Sequence, residues 1–141
     1  MSQSGLAPFD STIQTTNVWL NDLQERLGWL DRHRAYHALR AVLHALRDRL
    51  TVDQAAALAA QLPLLVRGLF YEGWHPHGKP LKERHREEFL SHVAASFQNG
   101  APADPARVTH AVFEVLSKHV TTGEIAALKL GWPGELRALW P

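Results

Sequence analysis

The chain has 141 residues, of which 45% are hydrophobic and 21% charged, with 15 Lys and Arg against 14 Asp and Glu. This composition supports a buried core, and the net charge of +1 gives no general attraction to nucleic acid or anionic membranes. The absence of cysteine excludes disulfides, thiol nucleophiles and cysteine-ligated metals. The sequence shows neither a targeting segment nor an apolar stretch of membrane-spanning length, so we expect no membrane association and a cytoplasmic location.

The sequence predicts helices from its start. An apolar stripe with steps of three and four residues runs from Phe9 through Ile13 and Leu20 to Leu27, with Asp10 or Ser11 as the cap. A second helix is predicted to begin near Asp31. No segment alternates with a period of two residues, so we expect no sheet.

An internal repeat dominates the remainder of the chain. Residues 40–70 align without a gap on residues 110–140, and ten of these positions are identical, among them Leu46 with Leu116. We therefore predict an all-α fold of two tandem, internally repeated units of about four helices each, packed as one bundle in one compact domain. The predicted segments are a flexible N-terminus at 1–8, a first unit at 9–71, a linker loop at 72–81 and a second unit at 82–141, whose first helix is expected near 82–98.

Several repeated residues are predicted to have structural roles. Thr51 and Thr121 are each followed three residues later by Gln or Glu, which is the pattern of a capping box at a helix start. Pro63 and Pro133 occupy positions where a new helix can begin. The repeated arginines, Arg67 and Arg137, are expected to satisfy helix C-terminal carbonyls or to pair with a carboxylate.

The sequence resembles a known family in three segments. These are the run from Arg34 to Leu50 and the later segments Gln61-Leu-Pro and Arg67-Gly-Leu-Phe-Tyr-Glu-Gly-Trp74. They resemble segments of the bacterial domain-of-unknown-function family 2267, and the resemblance extends over nearly the whole chain. The resemblance implies a small, all-helical, bacterial cytosolic protein, and it implies no reaction, ligand, cofactor or catalytic residue.

A basic stripe on the second helix is one candidate site. His33, His37, Arg40, His44 and Arg47 recur at steps of four and three, which places them on one helix face. His33 and His37 could chelate a metal, whereas the two arginines favour an anion such as phosphate, an acidic peptide or a nucleic-acid backbone. A solvated helix face is the simpler interpretation, and the second unit has no equivalent basic stripe.

The histidines of the linker loop are a second candidate. His75 and His77 stand two residues apart and His85 follows on the next predicted helix, so imidazoles and nearby carboxylates could hold a divalent metal. The surrounding Lys and Arg residues oppose a cation, and no metalloprotease pattern accompanies the histidines. We expect an exposed histidine pair, and hence no cofactor.

The segment after the first unit is the third candidate, because the second unit has no counterpart to it. Tyr71, Glu72 and Trp74 are predicted to form a partner-binding surface together with Arg40, His44 and Arg47, and Trp74 is expected to be exposed. No catalytic motif is present. We therefore expect a non-enzymatic, protein-binding or self-associating module with an unknown protein partner or a homo-oligomeric state. Weak binding of nucleic acid or another polyanion, and a metal-dependent enzyme using the linker histidines, are the alternatives.

Overall fold

The structure is a computed structural model that describes residues 4–97 and 102–141. Within these ranges the chain forms eight helices and no strand, which confirms the predicted all-α fold. The helices are α1 Ala7–Leu27, α2 Arg32–Asp48, α3 Val52–Ala60, α4 Leu64–Tyr71, α5 Arg86–Ser96, α6 Pro105–His119, α7 Thr122–Leu128 and α8 Gly134–Arg137. None of these helices is long and apolar enough to cross a membrane.

The four longest helices build the centre of the fold. Helix α1 packs against α2 and α6. Helix α5, which belongs to the second half of the chain, packs against the same two helices. Helix α3 contacts α7, while α4 covers α1 and α2, and α8 covers α5. All eight helices contribute buried apolar side chains to one continuous core, so the two halves share their hydrophobic interior.

The starts of α1 and α2 differ in how they are capped. The Asp31 side chain accepts a hydrogen bond from the backbone N–H of Arg34, as expected of an N-cap. Helix α1 begins at Ala7, earlier than the sequence predicts, and its N-cap Leu6 makes no side-chain cap bond. The predicted cap Asp10 instead lies inside the first turn, where its carboxylate accepts bonds from the backbone N–H and the hydroxyl of Ser4.

Helix α5 is shorter at its start than predicted, because a side chain from α2's C-terminal end holds the preceding segment. The Arg49 guanidinium donates to the carbonyls of Leu81, at 3.4 Å, and Glu83, at 2.6 Å. The backbone N–H of Leu81 donates to the Asp48 carbonyl at 2.8 Å. These contacts fix the segment as non-helical chain. The predicted end of the helix at Gln98 lies outside the described residues.

The two predicted threonine caps are present and differ in their partners. Thr51 Oγ1 accepts from the Gln54 N–H at 3.1 Å, and the Gln54 amide oxygen accepts from the Thr51 N–H at 3.0 Å, which completes a capping box. Thr121 Oγ1 accepts from the Glu124 N–H at 3.3 Å. Its own N–H donates to Gln61 Oε1 at 3.0 Å, so a side chain from the other half of the chain replaces the second bond of the box.

The repeated prolines have the same role, whereas the repeated arginines differ. Pro63 and Pro133 are the N-cap residues of α4 and α8, one position before the first helical residue. Arg67 donates to the carbonyls at the end of α3, those of Ala59 at 2.8 Å and Leu62 at 3.0 Å, as predicted for a structural arginine. Arg137 is exposed and makes no such bond.

Candidate binding groove

The structure brings the predicted basic residues of α2 next to the end of α4. Arg40 donates through Nε and an Nη to Glu72 Oε1, at 3.1 and 2.8 Å. This contact lowers the pKa of the Glu72 carboxyl. His44 Nε2 donates to the carbonyl of Leu69 at 2.7 Å, and burial lowers the pKa of this imidazole. The two sequence patches therefore adjoin, and most of their polar groups bond to one another.

Arg47 is buried beneath this surface. Its side chain donates to the carbonyls of Phe70, at 3.1 Å, and Glu72, at 2.8 Å, and to the Asp48 carboxylate at 2.9 Å. The residue is only 5% exposed. Arg47 therefore completes the C-terminal end of α4 and does not offer a charge to a partner, in contrast to its predicted place on the binding surface.

Tyr71 and Trp74 are half-buried, so the expected exposure of Trp74 is wrong. Their rings stack with centroids 5.5 Å apart, and the Trp74 indole N–H is buried without a hydrogen-bond partner. Both side chains pack against the hydrophobic core. The predicted surface is thus largely a self-contained junction between α2 and α4.

A groove that the sequence analysis did not predict lies beside this junction. It has a volume of about 680 Å³ and lies between α1, α2 and α4, with Tyr36 and Glu72 on its α2 and α4 sides. Its lining is mainly apolar and includes Phe9, Ile13, Leu20, Leu64, Leu65 and Leu69. Three of them are half exposed: Phe9 at 49%, Leu64 at 53% and Leu65 at 50%. The N-terminal half of the predicted buried stripe on α1 therefore faces an open groove.

The internal offset of the sequence provides a comparison for this groove. Seventy residues after Phe9, Ile13 and Leu65 stand Lys79, Glu83 and Glu135, and Leu64 corresponds to Gly134. In the structure Glu135 accepts a hydrogen bond from the backbone N–H of Arg86 at 2.7 Å and lies 3.2 Å from His85 Nδ1. Four residues of the apolar lining, Phe9, Ile13, Leu64 and Leu65, thus have no apolar counterpart in the second half of the chain. This difference between the halves was the sequence signal that could have located the groove.

The linker histidines do not converge. His75 and His77 are exposed, and His85 contacts Glu135. Among the residues that the structure describes, no three side chains of the metal-binding types form a group able to hold an ion. His33 and His37 do meet, with their Nε2 atoms 3.2 Å apart.

The family model described as an uncharacterized conserved protein, DUF2267, matches residues 16–139, which is most of the chain. The chain belongs to this family. The match confirms the resemblance noted from the sequence, and the family description names no activity, ligand or partner. No curated protein matches the chain.

Proposed function

We propose that this DUF2267 protein is a non-enzymatic, helical binding module that accepts an amphipathic helix of a partner protein in the groove between α1, α2 and α4. One observation carries the proposal. Half-exposed apolar side chains from α1 and α4 gather at one groove, whereas the offset positions in the second half are charged or lack a side chain. Exposed apolar clusters of this kind mark interaction sites more often than isolated exposed leucines do.

The dimensions of the groove favour a helix as its occupant. Phe9, Ile13 and Leu20 lie on α1 at intervals of four and seven residues, and this span of eleven residues is about 16 Å long at a rise of 1.5 Å per residue. A helix that inserts apolar side chains at positions i, i+4 and i+7 needs about 10 Å of groove. The Arg40–Glu72 pair lies at the groove edge, and because its charges are already satisfied, the apolar face of the partner provides most of the binding energy.

The other expectations fit this function. Two tandem units remain our interpretation of the repeat, supported by the complete burial of both Leu46 and Leu116 and by the threonine caps at equivalent positions. A duplication leaves one copy free to diverge at its surface while both copies maintain the core. We expect a bacterial, cytoplasmic protein, as the family resemblance implies.

A peptide selection tests the proposal directly. A display library of amphipathic helices is selected on the wild-type protein, and the recovered peptides are measured against two variants. Leu65→Glu places a charge on the groove wall, and Leu30→Glu is the matched control, because Leu30 is 99% exposed and lies outside the groove. We expect the selected helices to bind wild type and Leu30→Glu equally and to bind Leu65→Glu at least roughly tenfold more weakly, which corresponds to about 1.4 kcal/mol.

Two outcomes would contradict the proposal. Selected helices that are indifferent to Leu65→Glu would place the binding site elsewhere, and a library that yields no binder would remove a helix as the occupant. The same variants in sedimentation experiments show whether the occupant is a second copy of the chain. In that case wild type and Leu30→Glu form dimers that Leu65→Glu does not form.

A further inference from the structure

His33 and His37 face each other on the first half of α2. They stand four residues apart, so their side chains lie on the same helix face one turn from each other. Their rings meet edge to face with centroids 4.5 Å apart, and their Nε2 atoms are separated by 3.2 Å. A hydrogen bond between two imidazole nitrogens requires one donor and one acceptor, so a single proton occupies the space between them.

The same distance suits a metal ion. Zn²⁺ binds imidazole nitrogens at about 2.0–2.1 Å, so two nitrogens at a tetrahedral angle on one ion lie about 3.3 Å apart. The observed 3.2 Å separation is close to the distance between two corners of a zinc tetrahedron. Tyr36 holds both imidazoles in place, stacking on His33 and meeting His37 edge to face, with centroids 6.1 and 5.3 Å away.

The nearby arginines have partners other than the imidazoles, and two of them, Arg40 and Arg47, pair with the carboxylates of Glu72 and Asp48, which reduces the repulsion that the sequence suggests. Arg40 pairs with Glu72, and Arg47 is buried at the end of α4. Arg32 donates to asparagine and glutamine side chains of α1, and Arg34 lies over the Trp29 ring with its carbon Cζ 3.9 Å from the centroid.

We propose that His33 and His37 form a bidentate site for Zn²⁺, in which the ion replaces the proton between the two Nε2 atoms and water completes the coordination. The imidazole that donated the hydrogen bond moves its one hydrogen from Nε2 to Nδ1 by exchange with solvent, so both rings stay neutral and the pair loses no net proton. Protonation of either Nε2 competes with the ion, so binding weakens as the pH falls. The site lies beside the groove, because Tyr36 lines the groove and contacts both imidazoles. It does not depend on the helix-binding function proposed above.

The test uses zinc chloride with the full chain purified without a histidine tag. Imidazole nitrogen NMR signals are followed during the titration, and affinity is measured by calorimetry for wild type, His33→Gln and His37→Gln. The linker variants His75→Gln and His77→Gln serve as matched controls, because they also remove exposed histidines. Far-UV circular dichroism verifies that each variant is folded.

We expect one zinc ion per chain, with the Nε2 signals of His33 and His37 shifting first. Either α2 variant should bind zinc at least roughly tenfold more weakly, since loss of an outer-shell partner alone costs 10–100-fold in affinity. Zinc should raise the unfolding temperature of wild type and of the linker variants but not of His37→Gln. Equal affinity in the α2 variants, or loss of binding in the linker variants, would show that the His33–His37 contact is an imidazole hydrogen bond only.

Discussion

Replacing Arg47 with alanine distinguishes a structural arginine from a binding one. The guanidinium makes two bonds to the carbonyls of Phe70 and Glu72 and one to the Asp48 carboxylate. The bond to Phe70 is buried, so in the alanine variant the Phe70 carbonyl loses a donor that water cannot replace. Hydrogen bonds to charged groups contribute about 1.5–3 kcal/mol, and breaking a buried ion pair costs about 3–5 kcal/mol. Because water can reach the Asp48 carboxylate, we expect the lower part of that range, about 3 kcal/mol.

Urea unfolding followed by far-UV circular dichroism measures this loss. A thermal melt provides a second measurement. At about 3–4 °C per kcal/mol for a chain of this size, the unfolding temperature of Arg47→Ala should be roughly 10 °C lower than that of wild type. Arg137→Ala is the control, because that side chain is exposed and makes no carbonyl bond. Its free energy of unfolding should stay within about 0.5 kcal/mol of wild type. Arg47→Lys should be intermediate, since an ammonium keeps the charge but cannot reach all three acceptors in the planar geometry of a guanidinium.

The reasoning fails if Arg47→Ala unfolds within about 1 kcal/mol of wild type with an unchanged dependence on urea. That result would mean that the bonds at the end of α4 contribute little to stability.

Three further predictions concern the core, the caps and the response to pH. Leu46→Ala and Leu116→Ala should each cost about 2–5 kcal/mol in chemical unfolding, because both side chains are fully buried; an innocuous substitution at either position would argue against equivalent packing of the two halves. Thr51→Ala should cost about 1 kcal/mol by the same assay, whereas Thr51→Ser, which keeps the hydroxyl, should cost much less. Burial lowers the pKa of His44 and His119 below 6.5, so the unfolded chain binds more protons than the folded one below that pH. Stability should therefore decrease as the pH falls from about 7 through 6.5 toward the lower folded-state pKa values, and a His119→Phe variant that keeps the ring stacked on Trp19 should show a smaller decrease.

The features predicted from the sequence are those whose partners are near in the chain. The Thr51 cap bonds to a residue three positions away, and Arg67 bonds to carbonyls five and eight positions away, so local patterns are sufficient to predict both. The helical fold follows from apolar periodicity, which is also a local property. These interactions form within one helix or between a helix and the turn that precedes it.

The features missed by the sequence depend on distant parts of the chain. Helix α5 starts late because Arg49 bonds to Glu83, 34 residues further on, and the Thr121 cap is completed by Gln61 from 60 residues earlier. Arg47 continues the regular spacing of the basic residues on α2, yet it is buried against the end of α4, where it bonds to Phe70, 23 residues further along the chain. Periodicity assigns a residue to a helix face, but only the packing of the helices determines whether that face is covered.

The groove follows from the same distinction. The stripe on α1 is continuous in sequence from Phe9 to Leu27, but α2 and α6 bury its C-terminal part, with Leu23 and Leu27 at the core, while Phe9 remains half exposed. Exposed apolar surface contributes nothing to the stability of the isolated chain and promotes aggregation. In the second half Glu135 stands at the position offset from Leu65, and Lys79, at the position offset from Phe9, lies in the non-helical segment before α5, so that half folds without such an apolar wall. The apolar wall of the first half is therefore best explained by an occupant that covers it, which is the reason to search for a helix at this groove rather than at the basic face of α2.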